Sequence, residues 1–335
     1  MRTLRQIVVG LAFLLGAPAA VAQTPTCTGD NVLDEMRTSD ARAHAAIIAA
    51  AEATENGNAL LWKVEKQGSE AATSFLFGTM HLTDDRITRL SPAISTAFAG
   101  ARRVVLEIDD FSPVKLMGLL LRSRQLVMFT DGRRLDQLLT PEEFRRASEI
   151  MSRAGVPAAV AGLFKPWVAS MLLALSECEK RRVGGGLLAL DAQLAKDARE
   201  RGTPVAGLET LEIQFRAMAS VPEADQVEAL KASLRFSERI DDMIETMVQL
   251  YLTRQLGAIW PLQLALAEKV GVAPGAFASA EQSLLTVRNQ GMRDNALEHL
   301  EAGGAFIAVG ALHLPGKQGL VTLLREAGYT VTAIE

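Results

Sequence analysis

Long apolar runs, net charge and cysteine are all scarce in this 335-residue chain. Beyond the first residues, no apolar run reaches the roughly 20 residues that a membrane-spanning helix needs. The formal net charge is only −4 and there is no long basic run, so nucleic acid is not an expected partner. Hydrophobic residues make up 49% and charged residues 22%, which excludes wholesale disorder and allows a sizeable core.

The common catalytic signatures are also missing. The chain contains no H-E-x-x-H and no G-x-S-x-G, so an ordinary zincin or α/β-hydrolase is not supported. The glycine cluster Gly184-Gly185-Gly186 lacks the spacing of a phosphate-binding loop. Any catalytic site must therefore be built from less familiar motifs.

Residues 1–22 have the pattern of a signal peptide. Arg2 and Arg5 precede an apolar run from Ile7 to Leu15, and Ala20-Val21-Ala22 is an A-x-A cleavage signal. The apolar run is too short to span a bilayer comfortably. We expect cleavage to release a periplasmic or secreted protein of residues 23–335, with no transmembrane segment and a single domain.

The two cysteines, Cys27 and Cys178, both remain after this cleavage. In an oxidising compartment an even number of cysteines favours a disulfide. The alternative is two separate thiols, one of them in a helix.

Two distant segments share one pattern. Phe75 to Leu82 and Ile307 to Leu314 each consist of an apolar run, a glycine, two spacers and a His-Leu pair. Each apolar run predicts a buried strand that ends at its glycine, with His81 or His313 just past the carboxyl end. Open α/β sheets bind ligands at that edge, so we predict that the two rings lie within about 8 Å of each other. The alternative is two loop histidines with satisfied hydrogen bonds.

Strands are predicted near both ends of the chain. Leu60 to Glu65 and Ser74 to Phe77 are predicted to form a hairpin around Gly68, and a predicted helix from Ser91 to Ala101 leads to a strand at Val104 to Ile108. A strand–helix–strand unit predicts that the Ser74 and Val104 strands are parallel neighbours. Glu107 then lies at the same sheet edge as His81. The alternative is that Glu107 faces outward from a half-exposed strand.

Further elements complete the predicted architecture. Pro204 to Leu208 is a short strand followed by Glu209, and Ala305 to Val309 and Thr330 to Ile334 are closing strands. Most of the middle is predicted to be helical, including a helix from Pro166 to Cys178. We therefore predict an α/β fold with a central mixed, largely parallel sheet, built from both chain ends and covered by a large helical middle region. Glu209 has a second interpretation as a carboxylate that begins a helix.

Arg288 is the anomaly in a predicted helix from Glu281 to Leu300. It lies in an apolar stripe with Leu285 and Met292. A guanidinium in such a stripe needs an acidic or anionic partner, and Glu107 and Glu209 are the candidates.

Together these motifs resemble the TraB/PrgY/GumN family, and within it the GumN-like branch. The resemblance covers the chain from about Leu60 to its end and rests on the segments Leu76 to His81, Val105 to Asp109, Gly207 to Thr210 with Gln214, Arg288-Asn289 with Met292, and Val309 to Gly316. It implies a relationship to the metal-dependent TIKI proteases and, more distantly, to erythromycin esterase-like and ChaN-like proteins. It also implies that His81, His313, Glu107 and Arg288 are the functional residues. Two imidazoles and one carboxylate are sufficient to hold a divalent metal, so we expect His81, His313 and Glu107 to be the ligands. We expect Glu107, Arg288 and Glu209 to take part in catalysis.

The implied function is a secreted metal-dependent hydrolase, a TIKI-like metallopeptidase, acting on a peptide or small-molecule substrate. A divalent ion, with manganese, cobalt and zinc as candidates, would lower the pKa of bound water to about 7. Arg288 would stabilise the oxyanion, and Glu209 would act as a base or orient a histidine. One alternative is a metal-free esterase-like hydrolase in which His81 or His313 is the base. Another is a non-enzymatic envelope protein that binds haem or another ligand.

Overall fold

A computed structural model of the protein describes residues 27–335 apart from residues 69, 70 and 111. The predicted signal peptide lies outside the described residues. Six strands form one sheet in the order β4-β3-β5-β2-β1-β6. Their bounds are β1 (Leu61–Lys66), β2 (Ser74–Thr79), β3 (Arg103–Leu106), β4 (Val205–Gly207), β5 (Ala305–Gly310) and β6 (Tyr329–Ala333). The predicted α/β fold with a sheet built from both chain ends is confirmed.

The four strands that lead to the candidate site run parallel. β5 pairs in parallel with β2 and with β3, and β3 pairs in parallel with β4. β1 is antiparallel to both β2 and β6, so β1 and β2 form the predicted hairpin. The sheet is therefore mixed and largely parallel.

The prediction that β2 and β3 are neighbours is wrong, because β5 lies between them. Phe306, Ile307, Ala308 and Val309 are each at most 1% exposed. A strand that is apolar on both faces is stable only where helices or strands cover it on every side, which is the centre of a sheet. The strand from the carboxyl end of the chain thus separates the two amino-terminal strands while keeping them parallel.

Seventeen α-helices surround this sheet in the described part of the chain. They are α1 (Val32–Ser39), α2 (Ala41–Ala53), α3 (Asp85–Thr88), α4 (Pro92–Ala99), α5 (Pro113–Arg122), α6 (Pro141–Arg153), α7 (Ala158–Ala161), α8 (Pro166–Leu173), α9 (Glu177–Gly184), α10 (Leu190–Glu200), α11 (Leu211–Ser220), α12 (Glu223–Phe236), α13 (Ile240–Leu252), α14 (Ile259–Lys269), α15 (Pro274–Glu281), α16 (Val287–Ala302) and α17 (Leu320–Glu326). None of the described helices is long and apolar enough to cross a bilayer.

The helix predicted from Pro166 to Cys178 is in fact two helices. α8 ends at Leu173, and the Ser176 hydroxyl accepts the backbone N–H of Glu179 at 3.0 Å to begin α9. A serine at this position satisfies one of the free N–H groups of a new helix, so it favours a start over a continuation. Cys178 therefore lies in the first turn of α9.

The predicted disulfide is confirmed. Cys27 and Cys178 are bonded, with their Cα atoms 5.6 Å apart, which is within the usual range for a disulfide. The bond joins the start of the described chain to the first turn of α9.

The main core lies between the sheet and the helices packed on it. The Phe77 and Phe306 rings have centroids 5.7 Å apart, and Phe98 from α4 meets Phe306 edge-on at 5.3 Å. A smaller cluster, which includes Leu135, Met151 and Leu230, lies under the middle helices. The close packing of β2, β3 and β5 gives the side chains at their carboxyl ends fixed positions.

Candidate functional site

Each predicted site residue of the strands lies just beyond the carboxyl end of its strand. His81 follows β2 by two residues, Glu107 follows β3 directly, Glu209 follows β4 by two, and His313 follows β5 by three. Because these four strands are parallel, their carboxyl ends lie at one edge of the sheet.

The centre of the site is the space beside Gly310. A Cβ atom added to Gly310 would lie 3.0 Å from Glu107 Oε1, 3.5 Å from His81 Nε2 and 3.6 Å from His313 Cδ2. The two ring atoms are therefore no more than 7.1 Å apart, the sum of the last two distances. The predicted convergence of the two histidines is confirmed, and the absence of a side chain at Gly310 keeps the space between them open.

His81 is oriented by a buried aspartate. Its Nδ1 lies 2.6 Å from Asp191 Oδ2, and the Thr79 hydroxyl donates to the other oxygen, Oδ1, at 2.6 Å. Asp191 is 5% exposed, whereas the His81 side chain is 58% exposed. Burial lowers the pKa of His81, but the hydrogen bond and charge of Asp191, together with the charge of Glu107, outweigh it and raise the pKa to about 9. The Nε2 edge of the ring faces Gly310.

His313 has a neutral partner instead. Its Nδ1 lies 2.6 Å from Asn289 Oδ1, and Asn289 uses its Nδ2 to donate to the carbonyl of Gln318 at 2.7 Å. Because Asn289 Oδ1 must then accept, the His313 proton is on Nδ1 and Nε2 carries a lone pair. Burial lowers the pKa of His313 to about 4, despite the opposing charge of Glu107. Nε2 is 3.6 Å from Glu107 Oε1.

Glu107 is held from three directions. Oε1 accepts the backbone N–H of Gly310 at 2.5 Å, while Oε2 accepts from Gln214 at 2.9 Å and from Arg288 at 2.8 Å. Burial raises the pKa of Glu107, but the charges of His313, His81 and Arg288 and the Gly310 hydrogen bond lower it to about 2. The carboxylate is therefore ionised and fixed in direction.

Arg288 joins the two predicted carboxylates. Its NH2 group donates to Glu107 at 2.8 Å and to Glu209 at 2.7 Å, and its Nε donates to Glu209 Oε2 at 3.0 Å. Its side chain is only 10% exposed, and its remaining NH1 group donates to the Leu284 carbonyl at 3.3 Å. Both acidic partners expected from the sequence are thus present, and they use most of the donors of the guanidinium.

The predicted helix from Glu281 to Leu300, which carries Arg288, is helical throughout but includes one irregular turn. This π-helical turn at Gln282–Thr286 lies between α15 and α16. Such a turn contains an additional residue and is frequent at functional sites. The Leu284 carbonyl that accepts from Arg288 belongs to this turn.

Four further residues of this site have no role predicted from the sequence. Asp191 lies in the first turn of α10, where the helix dipole makes an acid ordinary, so its position gives no signal of a contact with His81. Asn289 and Gln214 lie in the motifs that carry the family resemblance. Tyr251 donates its hydroxyl to the Gly78 carbonyl at 2.8 Å, from a helix that offers no local signal of such a contact.

The fit of the site to a resident metal is incomplete. In the described part of the chain, no group of three or more His, Cys, Asp or Glu side chains is arranged to hold a metal ion. At Glu107, the Arg288 guanidinium lies 2.8 Å from Oε2 and would repel a cation at that oxygen, which leaves Oε1 as the oxygen that faces the histidines. His81 and His313 remain as the two imidazole donors.

Comparison with protein families matches residues 60–333 to the family described as the TraB/PrgY/gumN family. No curated protein and no solved structure matches the chain. The matched range contains the four strands β2, β3, β4 and β5 and the helices that position the side chains described above.

Proposed function

This chain belongs to the TraB/PrgY/gumN family, and we propose that it is a hydrolase that adds water to the carbonyl group of an ester or amide. The observation that carries the proposal is the meeting of His81, His313 and Glu107 around Gly310, with the pKa values of the two histidines shifted in opposite directions. Two titratable groups whose pKa values are pushed apart suit an acid and a base at one pH.

His81 is the proposed acid. With a pKa of about 9 it is protonated at neutral pH, and its Nδ1–H donates a hydrogen bond to Asp191. The Nε2 proton then faces the open space beside Gly310 and is available to the carbonyl oxygen of a substrate. There it stabilises the negative charge that develops as water attacks, and it then passes to the leaving group.

His313 is the proposed base. It is neutral at pH 7, and its Nε2 lone pair is free because Nδ1 donates to Asn289. When Nε2 takes a proton from the attacking water, the imidazolium that forms lies 3.6 Å from Glu107 Oε1. The negative charge of Glu107 stabilises it, as the carboxylate of a catalytic triad stabilises its histidine.

Arg288 and Glu209 are proposed to position Glu107 and not to touch the substrate. The guanidinium donates to both carboxylates, and the Glu209 side chain is only 3% exposed. In this role Arg288 fixes the direction of Glu107 Oε1 toward His313. This positioning role replaces the oxyanion role expected from the sequence for Arg288 and the base role expected for Glu209.

A metal-dependent hydrolase of the TIKI-like metallopeptidase kind is the second candidate. The observation in its favour is that the Nδ1–H of each histidine donates a hydrogen bond to an oxygen atom, as the second ring nitrogen of a metal-ligating histidine usually does. His81, His313 and Glu107 would hold the ion, which would supply hydroxide near neutral pH. Elemental analysis of the purified protein tests this candidate, since it requires about one divalent ion per chain that is lost when both histidines are replaced by glutamine.

A periplasmic or secreted location is part of the proposal. The Cys27–Cys178 disulfide supports it, because such bonds persist in oxidising compartments. Cell fractionation with and without residues 1–22 tests it: the full-length chain should reach the periplasm or medium, and the shortened chain should stay in the cytoplasm.

The hydrolase proposal is tested with a panel of p-nitrophenyl esters and a peptide library, assayed with EDTA and with added divalent ions. His81→Gln and His313→Gln should each lower turnover by about 10²-fold or more. His44→Gln, in α2 and away from the site, is the matched control and should leave turnover unchanged. If the wild-type protein cleaves nothing in either panel under any of these conditions, the hydrolase proposal is rejected.

A further inference from the structure

A cleft of about 320 Å³ opens beside the candidate site. Its lining includes Ile108, which directly follows Glu107, and Thr210, which directly follows Glu209. Its volume lies at the lower end of the range for small-molecule sites. Two lining residues of the cleft are therefore the chain neighbours of the two carboxylates that Arg288 bridges, and the cleft has room for one part of a substrate.

The walls of the cleft are apolar. Ile108 and Leu119 are 2% and 4% exposed, and Leu211 at the start of α11 is partly buried. These side chains come from the β3 exit, α5 and α11, so three separate elements contribute to one apolar surface. Such a surface favours an aliphatic or aromatic group of a ligand.

The cleft is lined by three acidic side chains, Asp109, Asp110 and Glu212, and by two basic ones, Lys115 and Arg122. Lys115 pairs with Asp109 at 3.4 Å and with Asp110 at 3.3 Å, and Glu212 pairs with Arg216 at 2.5 Å. Arg122, the remaining charged side chain of the lining, makes no ion pair or side-chain hydrogen bond with the described residues. It is the cation that the cleft offers to a ligand.

The position of Arg122 depends on a glycine one turn earlier in α5. A Cβ atom on Gly118 would lie 3.1 Å from NH1 of Arg122. The guanidinium thus lies back along the helix, in the space that a side chain at residue 118 would fill. A planar guanidinium matches a carboxylate by two parallel hydrogen bonds.

We propose that this cleft is a subsite for an apolar group that carries a carboxylate, with the apolar part against Ile108, Leu119 and Leu211 and the carboxylate on Arg122. The inference rests on the proposed hydrolase function: the substrate is then an ester or amide that has such an apolar acid on one side of the carbonyl group. The carbonyl lies toward Glu107 and Gly310, where the two histidines meet.

Binding is tested apart from turnover, with probes that cannot be hydrolysed. Octanoate and 1-octanol are titrated into the mature protein by calorimetry or ligand-observed NMR. Octanoate should bind at least tenfold more tightly than 1-octanol. Arg122→Gln should remove that difference, and Leu211→Ser should weaken both ligands by removing part of the apolar wall.

Arg124→Gln is the matched control. Arg124 is exposed, lies two residues away, also has no ion-pair partner among the described residues, and does not line the cleft. It should leave both affinities unchanged. Equal binding of the two probes, or a loss of octanoate binding in Arg124→Gln and not in Arg122→Gln, overturns the subsite.

Turnover measurements then show whether the subsite proposal or the hydrolase proposal has failed. If the hydrolase proposal holds, N-acetyl dipeptides with a free carboxyl-terminal leucine should be cleaved at least tenfold faster than their carboxamides, and Arg122→Gln should remove the preference. If octanoate binds as expected but nothing is cleaved, the function is rejected and the subsite stands. If both forms are cleaved equally, the hydrolase stands and the carboxylate subsite is rejected.

Discussion

Asp191 Oδ2 lies 2.6 Å from Nδ1 of His81, and this contact joins α10 to the exit of β2. A buried acid this close to an exposed imidazole keeps the ring protonated on both nitrogens over a wide pH range. The acid role proposed for His81 therefore depends on Asp191.

The first prediction follows from that contact. In Asp191→Asn the negative charge is lost, so the pKa of His81 should fall from about 9 toward its ordinary value near 6.5. If protonated His81 is the active form, the alkaline limb of the pH–rate profile should move down by about two pH units. Asp197→Asn, on the same helix, is the control and should keep the wild-type profile. An unchanged profile in Asp191→Asn would count against His81 as the acid.

The second prediction concerns stability in mild acid. The folded-state pKa of His313 is about 4, below its ordinary value near 6.5, because burial favours the neutral ring. Between these two values the unfolded chain binds the extra proton, so unfolding becomes easier as the pH falls from 6.5 to 4. The expected loss is on the order of 3 kcal/mol for a shift of this size.

Urea unfolding of the wild-type protein and of His313→Gln between pH 4 and pH 7 measures this pH-dependent loss of stability. The variant should lose less stability than wild type over this range, because it has no such group to protonate. Glu107 adds to the acid sensitivity of both proteins only at lower pH, since its pKa is lowered to about 2 and its contribution is lost as the pH falls below its ordinary value. Parallel curves for the two proteins would contradict the burial of a neutral His313.

The third prediction is for Arg288, which the sequence marked as a buried cation in need of an acid. Arg288→Met leaves Glu107 and Glu209 buried without their shared partner, which should destabilise the protein by about 3–5 kcal/mol. Adding Glu209→Gln to this variant should restore part of the loss, because one uncompensated charge is removed. Denaturant unfolding of the two variants checks both statements.

Arg288→Lys separates positioning from direct catalysis. Lysine keeps the charge but has no planar fork, so we expect a lower melting temperature and a loss of less than tenfold in activity per folded molecule. A loss of about 10²-fold with an unchanged melting temperature is the result expected of an oxyanion donor. It would return Arg288 to the catalytic role that the family resemblance implies.

Much of this site was predictable because its residues follow strands. An apolar run that ends at glycine places His81 and His313 at strand exits, and an acid within an apolar run places Glu107. The order of the strands was less predictable, because β5 comes from a distant part of the chain and its central position depends on burial on both faces. Asp191 and Tyr251 could not be assigned, since their contacts are set by how α10 and α13 pack on the sheet. The single-domain prediction for residues 23–335 stays a prediction.

The final prediction tests the space between the histidines directly. Gly310 has an ordinary φ of −52°, so alanine is compatible with the backbone there. Its Cβ would nevertheless lie 3.0 Å from Glu107 Oε1 and 3.5 Å from His81 Nε2, in the space where a substrate carbonyl is proposed to bind. Gly310→Ala should therefore lower turnover by about 10²-fold, as loss of correct positioning does, while the protein stays folded.

Gly291→Ala in α16 is the matched control, because a Cβ at that position meets nothing within 4 Å. Alanine is also the better helix former there, so this variant should be as stable as wild type or slightly more stable. Circular dichroism and turnover measured on both variants give the comparison. Full activity in a folded Gly310→Ala protein would mean that the reacting group does not lie between His81 and His313, and the proposed site would be wrong.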